Sequence, residues 1–377
     1  MAESHLRATS IEGKDVRLEV LSENPAVLET PQALLVEDAV TPVSNLFVRN
    51  VQRLPAGVTA ELLPLQGWTF ELAGLIDRPV PIAGEELLGM DQVEYEMVLQ
   101  CSGNGRTRFS EMFPVSGVAW GHGGIANVRF AGVPLLALLE KHDAKISREA
   151  RFVTAEGKDL RQRLEVQEFE HSLPLADCLE TSILALKLNG EPMPAIHGGP
   201  VRFVTPGYYG AMQIKWLQRL RFESIESTNF YHAVEYRVPK TRVRHGEAFN
   251  FTLENSVPTW KLRISSLILD PEASVVLTSG DHTFRGVAFN DGDAPIECVL
   301  VSFDRGKSWR SATLQPSRSR YAWCRWTIQK SLAPGTHEVW SRAIDALGRA
   351  QPLDASIYWN PNGYQWNGVC RLEVRVV

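Results

Sequence analysis

The heptapeptide Gln100-Cys101-Ser102-Gly103-Asn104-Gly105-Arg106 constrains the chain more than any other stretch. It follows an apolar, strand-like approach, Tyr95-Glu96-Met97-Val98-Leu99, and its two glycines within five residues impose a tight loop. Any fold must therefore hold Cys101 on a rigid strand end, with Arg106 a few residues away. A guanidinium favours the thiolate, and the thiolate is the form of cysteine that binds metals. Two readings stay open on these residues alone: a buried free cysteine in a glycine turn, or a metal-binding thiolate.

Composition narrows the setting. The chain has 377 residues, 44% hydrophobic and 22% charged, which is ordinary globular composition and enough for about two domains with full cores. A formal charge of −5 is mild, so neither nucleic acid nor an anionic membrane is a natural partner. No apolar run approaches the roughly 18 residues of a membrane span. The start, Met1-Ala2-Glu3-Ser4-His5-Leu6-Arg7, is polar and lacks a signal pattern. The expected compartment is the cytoplasm as written, or the periplasm if a signal was removed.

The cysteines stand at 101, 178, 298, 324 and 370. Their odd number, wide spacing and lack of a Cys-x-x-Cys argue against a disulfide framework or structural zinc. A single metal-binding cysteine remains open. No His-Glu-x-x-His, Gly-x-Ser-x-Gly, Walker loop or dinucleotide fingerprint is present, so standard hydrolase and nucleotide chemistries lack their marks.

Residues 1–45, rich in Glu, Pro and Ser, read as a partly extended arm draped over the following domain. Asn45-Leu46-Phe47-Val48-Arg49-Asn50-Val51 reads as a short strand whose central Arg49 needs a partner. Gly67 to Gly74 alternates like a strand. Trp120-Gly121-His122-Gly123-Gly124-Ile125 is a second glycine-rich turn, and Pro134 to Lys141 spaces its leucines for a helix face. Asn189-Gly190 between Leu186 and Met193 signals a hairpin. From His197 to Lys215 the chain brings His197, Arg202 and Lys215 among glycines and strand-like pieces, the ingredients of a phosphate site. Three surface charges would give the same pattern.

The texture changes after about residue 237. Residues 237–261 read as a basic, proline-containing linker. From 262 to 377 short strands alternate with turns: Ile296 to Phe303, then Tyr321 to Ile328, and finally Leu372, Val374 and Val376 against Glu373 and Arg375. That pattern predicts an antiparallel β-sandwich of about 115 residues. Trp309, Trp323, Trp326 and Trp340 are expected in its core or on a dimer face.

Taken in order, these pieces resemble the sulfite oxidase family of molybdopterin enzymes over nearly the full length. Phe47-Val48-Arg49-Asn50 looks like the family's Phe-Val-Arg-Asn, and Cys101 to Arg106 like its Cys-Ala-Gly-Asn-x-Arg metal-ligand loop. Trp120 with Gly124-Ile125 is similar to its tryptophan-to-Gly-Ala-Ile stretch. His197 to Arg202 and Pro206 through Trp216 resemble its pterin-phosphate segment, and Glu235-Tyr236 sits where the family has its active-site tyrosine.

The resemblance implies an α+β protein. A mixed α/β molybdopterin-binding domain, residues 46–236, would precede an immunoglobulin-like dimerisation domain, residues 262–377. It implies one pyranopterin on a dioxo molybdenum, with Cys101 as the protein's metal ligand. His197, Arg202 and Lys215 would hold the pterin's phosphate and polar edge. Phe47, Val48, Asn50, Asp159, Gln213 and Ile214 would be further cofactor contacts, the last two through backbone. Arg49, Arg106 and Tyr236 would line the pocket beside the metal and bind a small oxyanion.

The implied reaction is oxidation of sulfite to sulfate by oxygen-atom transfer. Electrons would go to an external acceptor, a cytochrome c or oxygen, since no haem domain or Cys-x-x-Cys-His is present. Another oxyanion, a sulfane or a sulfoxide is the alternative substrate, and a cofactor-free two-domain binding protein the alternative of a different class. A homodimer is expected. Two departures from the family pattern stand out: Val51 replaces a histidine that often follows the Arg-Asn pair, and Asn362 falls where vertebrate relatives have a further pocket arginine.

Overall fold

The computed structural model describes residues 11–55, 62–161, 166–273 and 275–377, together with the strand Arg7–Ala8. The polar start, residues 1–6, lies outside the described residues. The architecture is α+β, with mixed sheets, short helices and a C-terminal β-sandwich.

The N-terminal segment is more built-in than a draped arm. Strands β1 (Arg7–Ala8), β2 (Glu19–Glu23) and β3 (Ala26–Glu29) run into β4 (Val48–Arg49), all antiparallel in one sheet. Val27 pairs with Arg49 and Leu28 with Val48. Leu18, Leu28 and Leu34 bury themselves against Val48 and Ile196. Short strands without a sustained apolar period hide this in the sequence, and β4 joins β3 across some 20 residues of chain.

Two further sheets form the body of the first domain. One orders β10 (Glu170–Pro174), β9 (Phe152–Gly157), β14 (Leu217–Glu223), β5 (Thr69–Gly74) and β6 (Val80–Ala83), with only β14 and β5 parallel. The other orders β12 (Glu191–Pro192), β11 (Ile183–Leu188), β8 (Ile125–Pro134) and β7 (Val93–Gln100), with β13 (Arg202–Val204) also on β11. The β11–β12 hairpin turns at Asn189 and Gly190, with φ of 54° and 90°, the left-handed pair such a turn demands. The helix Leu135–Lys141 follows Pro134 and buries Leu135, Leu138 and Leu139, the spacing of one helical face.

The connecting segment is also structured. β15 (Arg237–Pro239) pairs with β16 (Ser256–Pro258), and fully buried Arg237 donates to Ser256 and to the carbonyl of His232. A buried arginine must find such acceptors, so the basic run read as a linker is held at both ends.

In the sandwich, β17 (Ser265–Asp270), β19 (Gly280–Phe289), β23 (Cys324–Leu332) and β22 (Thr313–Leu314) face a sheet of five. Those five are β18 (Val276–Leu277), β25 (Cys370–Val376), β24 (Gly335–Asp345), β20 (Ile296–Ser302) and β21 (Arg310–Ser311). Strand β25 alternates buried and exposed residues throughout, as its sequence predicts. Trp323 and Trp326 fill the core, whereas Trp309 and Trp340 are half-buried against each other. Val98, Ile125 and Tyr209 of the first domain enter the same apolar cluster, so the two units share a packed interface.

Glu29, ending β3, ties this architecture to the second glycine turn. Its carboxylate accepts the backbone N–H of Gly123 at 2.7 Å and of Gly121 at 3.1 Å. Burial outweighs those donors and pushes its carboxyl from the ordinary 4.5 up to about 7. The folded state then holds this proton more tightly than the unfolded chain, so the contribution is full below pH 4.5 and is lost as pH rises to about 7. In denaturant unfolding, wild type should lose about 3 kcal/mol relative to Glu29→Gln between those limits. A pH-independent difference would mean that Glu29 is ionised throughout.

Candidate active site

Strand β7 delivers Cys101 to the floor of a pocket. The loop is held by its own backbone: Cys101 N–H donates to Gly124 O at 2.8 Å, and Asn104 N–H donates to Cys101 O at 3.0 Å. Asn104 Oδ1 in turn accepts from Gly124 N–H at 3.0 Å. Gly105 has φ +80°, and a Cβ there would lie 2.7 Å from the Trp366 ring, so only glycine fits before the short helix Arg106–Ser110. The sandwich domain braces the far side, where Gln365 N–H donates to Ser102 O at 2.8 Å.

Burial pushes the Cys101 thiol above its ordinary range, and Arg49, the Gly103 N–H and Arg106 only partly oppose it. The guanidiniums act in the direction expected from the sequence, but desolvation wins. A bound metal would deprotonate the thiol outright.

Phe47, Arg49, Asn50, Val51 and Tyr236 line the same pocket. Arg49 donates to the carbonyl of Asn50. Tyr236 stacks on Tyr364 with centroids 4.9 Å apart and planes 20° apart, and its ring meets Phe169 and His171 edge-on. Burial holds its phenol at about 12 even beside Arg49, so at neutral pH it is a hydrogen-bond donor.

Two residues expected at the pocket lie elsewhere. Arg106 sits one layer back, its Nη1 donating to Val118 O at 2.9 Å and its guanidinium 4.8 Å from the centre of the Tyr364 ring. A Cβ on Gly117 or Gly363 would come within 2.6 or 2.7 Å of it, so those glycines make its slot. Asn362 turns away from the pocket and donates to the carbonyls of Glu235 at 2.8 Å and Val234 at 3.3 Å. It thus fastens the turn that carries Tyr236, and no sequence signal marks the neighbouring Tyr364, whose hydroxyl donates to Glu235 at 2.7 Å.

The other end of the pocket gathers positive charge. Arg202 donates to Gln213 O at 3.1 Å and to His197 O at 3.0 Å. Lys215 donates to Asn50 Oδ1 at 2.7 Å, Ile196 O at 2.8 Å and Arg49 O at 3.2 Å. Burial pulls Arg202 down to about 9, and burial together with the neighbouring cations holds His197 and Lys215 well below their ordinary values. Asp159 is the one carboxylate among the described lining residues, and burial raises it to about 7 against the pull of Lys215. Val48 and Ile214 point into apolar clusters and can reach a ligand only through backbone.

This set fits a phosphate-bearing polar heterocycle. Buried cations satisfied mainly by carbonyls lack a counter-anion. Asn50 Nδ2 and Gln213 Oε1 are buried without a partner among the described residues, a spare donor and a spare acceptor. No group of three or more His, Cys, Asp or Glu side chains among the described residues could cage a metal. A metal beside Cys101 would therefore draw its remaining ligands from a cofactor.

Comparison with known proteins agrees. Residues 57–231 match the oxidoreductase molybdopterin-binding domain, and residues 256–377 the Mo-co oxidoreductase dimerisation domain. Mitochondrial sulfite oxidase of Mus musculus is 30% identical over 373 residues, covering 96% of this chain and 66% of that protein. The NADPH nitrate reductase of Fusarium oxysporum is 28% identical over 388 residues, covering 93% of this chain and 42% of that one. The solved sulfane dehydrogenase SoxCD of Paracoccus pantotrophus superposes with a TM-score of 0.78 at 25% identity, covering 99% of this chain and 89% of that chain.

Fold and site together define a molybdopterin-binding oxidoreductase. Within that class the chain belongs to the sulfite oxidase family. It spans about two thirds or less of the length of these curated relatives.

The two hydrogen bonds from Asn362 make a direct prediction about the turn under Tyr236. Asn362→Ala should cost about 1–2 kcal/mol in denaturant unfolding, because two carbonyls lose their donor. An unchanged midpoint would show that water replaces the amide without cost.

Proposed function

We propose that this chain oxidises sulfite to sulfate by oxygen-atom transfer and passes the electrons to an external acceptor such as a cytochrome c or oxygen. The balance is sulfite plus water giving sulfate, two protons and two electrons. The observation that carries the reading is one pocket joining a fixed thiol, a half-buried arginine and a protonated phenol to a carboxylate-poor cluster of cations.

When bound, a single pyranopterin with molybdenum supplies the two-electron chemistry, and the protein supplies position and charge. His197, Arg202 and Lys215 would hold the phosphate, while Asn50, Asp159 and Gln213 meet the polar edge. Cys101 would give the metal its one protein sulfur. At the substrate end Arg49 attracts and orients the oxyanion. Tyr236 donates a hydrogen bond to it, and Phe47, Leu99 and Phe169 keep bulk water out. The dimerisation-domain match supports a homodimer.

A second reading, a sulfane or another less charged substrate, has one observation in its favour. With Arg106 set back and Asn362 committed to backbone, Arg49 is the one guanidinium at the Cys101 end of the pocket among the described residues. Steady-state assays of sulfite, thiosulfate and nitrate against ferricyanide and cytochrome c separate the readings. Turnover confined to sulfite supports the first, and turnover with thiosulfate alone replaces it with the second.

Cys101→Ser should abolish sulfite turnover while the fold survives, and near-normal activity would remove Cys101 from the metal. Arg49→Gln should raise the KM for sulfite about tenfold or more, since a charge-assisted contact contributes about 1.5–3 kcal/mol. An unchanged KM would mean that Arg49 serves only the cofactor or the fold.

A further inference from the structure

Lys14 belongs to the N-terminal segment, outside the stretch 57–231 that matches the molybdopterin-binding domain. Its side chain nevertheless reaches the cation-rich end of the pocket. Nζ lies 2.6 Å from His197 Nε2, 2.6 Å from Val43 O and 2.8 Å from Leu46 O. An ammonium has three N–H donors and no acceptor. These three partners use all of them.

The consequence falls on the histidine. His197 is buried and lines the pocket. A neutral imidazole carries one proton, and a ring nitrogen that accepts from an ammonium cannot hold it. With Nε2 accepting from Lys14, the proton sits on Nδ1. Nδ1 has no protein partner among the described residues and is the nitrogen left for a ligand. The backbone carbonyl of His197 is tied as well, accepting from Arg202 Nη1 at 3.0 Å.

We propose that Lys14 is a positioning residue of the cofactor site: it fixes His197 in the Nδ1–H tautomer and adds a further cation, beside Arg202 and Lys215, toward the phosphate. The proposal rests on the molybdopterin reading of the pocket. Lys14, His197, Arg202 and Lys215 crowd one another, with Arg49 beside Lys215 and Asp159 as the carboxylate within reach. Burial alone brings Lys14 down to about 7, so in the empty pocket its charge is held at a cost. A phosphate dianion relieves that cost, and the benefit of Lys14 appears only with cofactor bound.

The test compares wild type with Lys14→Met, of similar length but uncharged, each as loaded protein and after removal of the cofactor. Stripped Lys14→Met should unfold at the wild-type temperature or above, and the loaded variant below loaded wild type. Pterin and molybdenum should dissociate about tenfold faster or more, the scale of one lost charge-assisted contact. Nitrogen-15 shifts of His197 should show Nδ1 protonated in wild type and the proton moving to Nε2 in Lys14→Met.

Lys14→Gln keeps an N–H donor without the charge, so it should retain the Nδ1–H tautomer and still lose cofactor faster. It also serves if Lys14→Met does not fold. Equal dissociation rates, or a protonated Nε2 in wild type, would overturn the proposal. Wild-type protein that takes up no pterin would overturn the functional reading itself, and with it the phosphate half of this inference. The histidine shifts then decide the tautomer independently.

Discussion

Buried positive charge without enough carboxylate to balance it is the constraint on which the rest of the structure turns. Lys215, Arg202 and Lys14 are desolvated together around the neutral imidazole of His197, and the cations' partners are mainly peptide carbonyls. Such a cluster is unfavourable in an apo protein, and a protein keeps one where an anion completes it. Four separate stretches of chain are folded to bring it about. The segment around residue 14, the strand at 48–49, the 195–202 turn and the 213–216 turn all end at this point. The sheet topology can be read as the means of holding those ends together.

The opposite end of the pocket obeys a different rule. Here the thiol and the phenol are kept neutral by burial, with Arg49 pulling both the other way. The Cys101 loop does not set the thiol's ionisation. It sets position, through backbone hydrogen bonds to Gly124 and through glycines that admit Trp366 and Arg106. Tyr236 is positioned indirectly as well, by its stack on Tyr364 and by Asn362 beneath its turn. The sandwich domain supplies both of those residues, so it serves the site directly.

What was legible in the sequence was local. The glycine loop after an apolar strand, the Asn189-Gly190 hairpin, the leucine-faced helix after Pro134 and the alternation at 370–376 each follow from φ preferences or side-chain period. The ordered set of motifs carried the family. What stayed hidden depends on distant pairing. The N-terminal strands have no period of their own, and Lys14 meets His197 across 183 residues. Arg106 sits behind the pocket because Gly363 and Tyr364, remote in sequence, form its slot. The basic stretch at 237 looked like a linker because the partners of Arg237 lie mainly in a strand about 20 residues on.

The central claim is that Cys101 and a single pterin share one molybdenum at the floor of this pocket. X-ray absorption at the molybdenum edge counts the sulfur neighbours of that metal directly. The account predicts three sulfur scatterers in wild-type protein and two in Cys101→Ser. Two in both proteins, or no molybdenum in protein expressed where the cofactor is made, would contradict it.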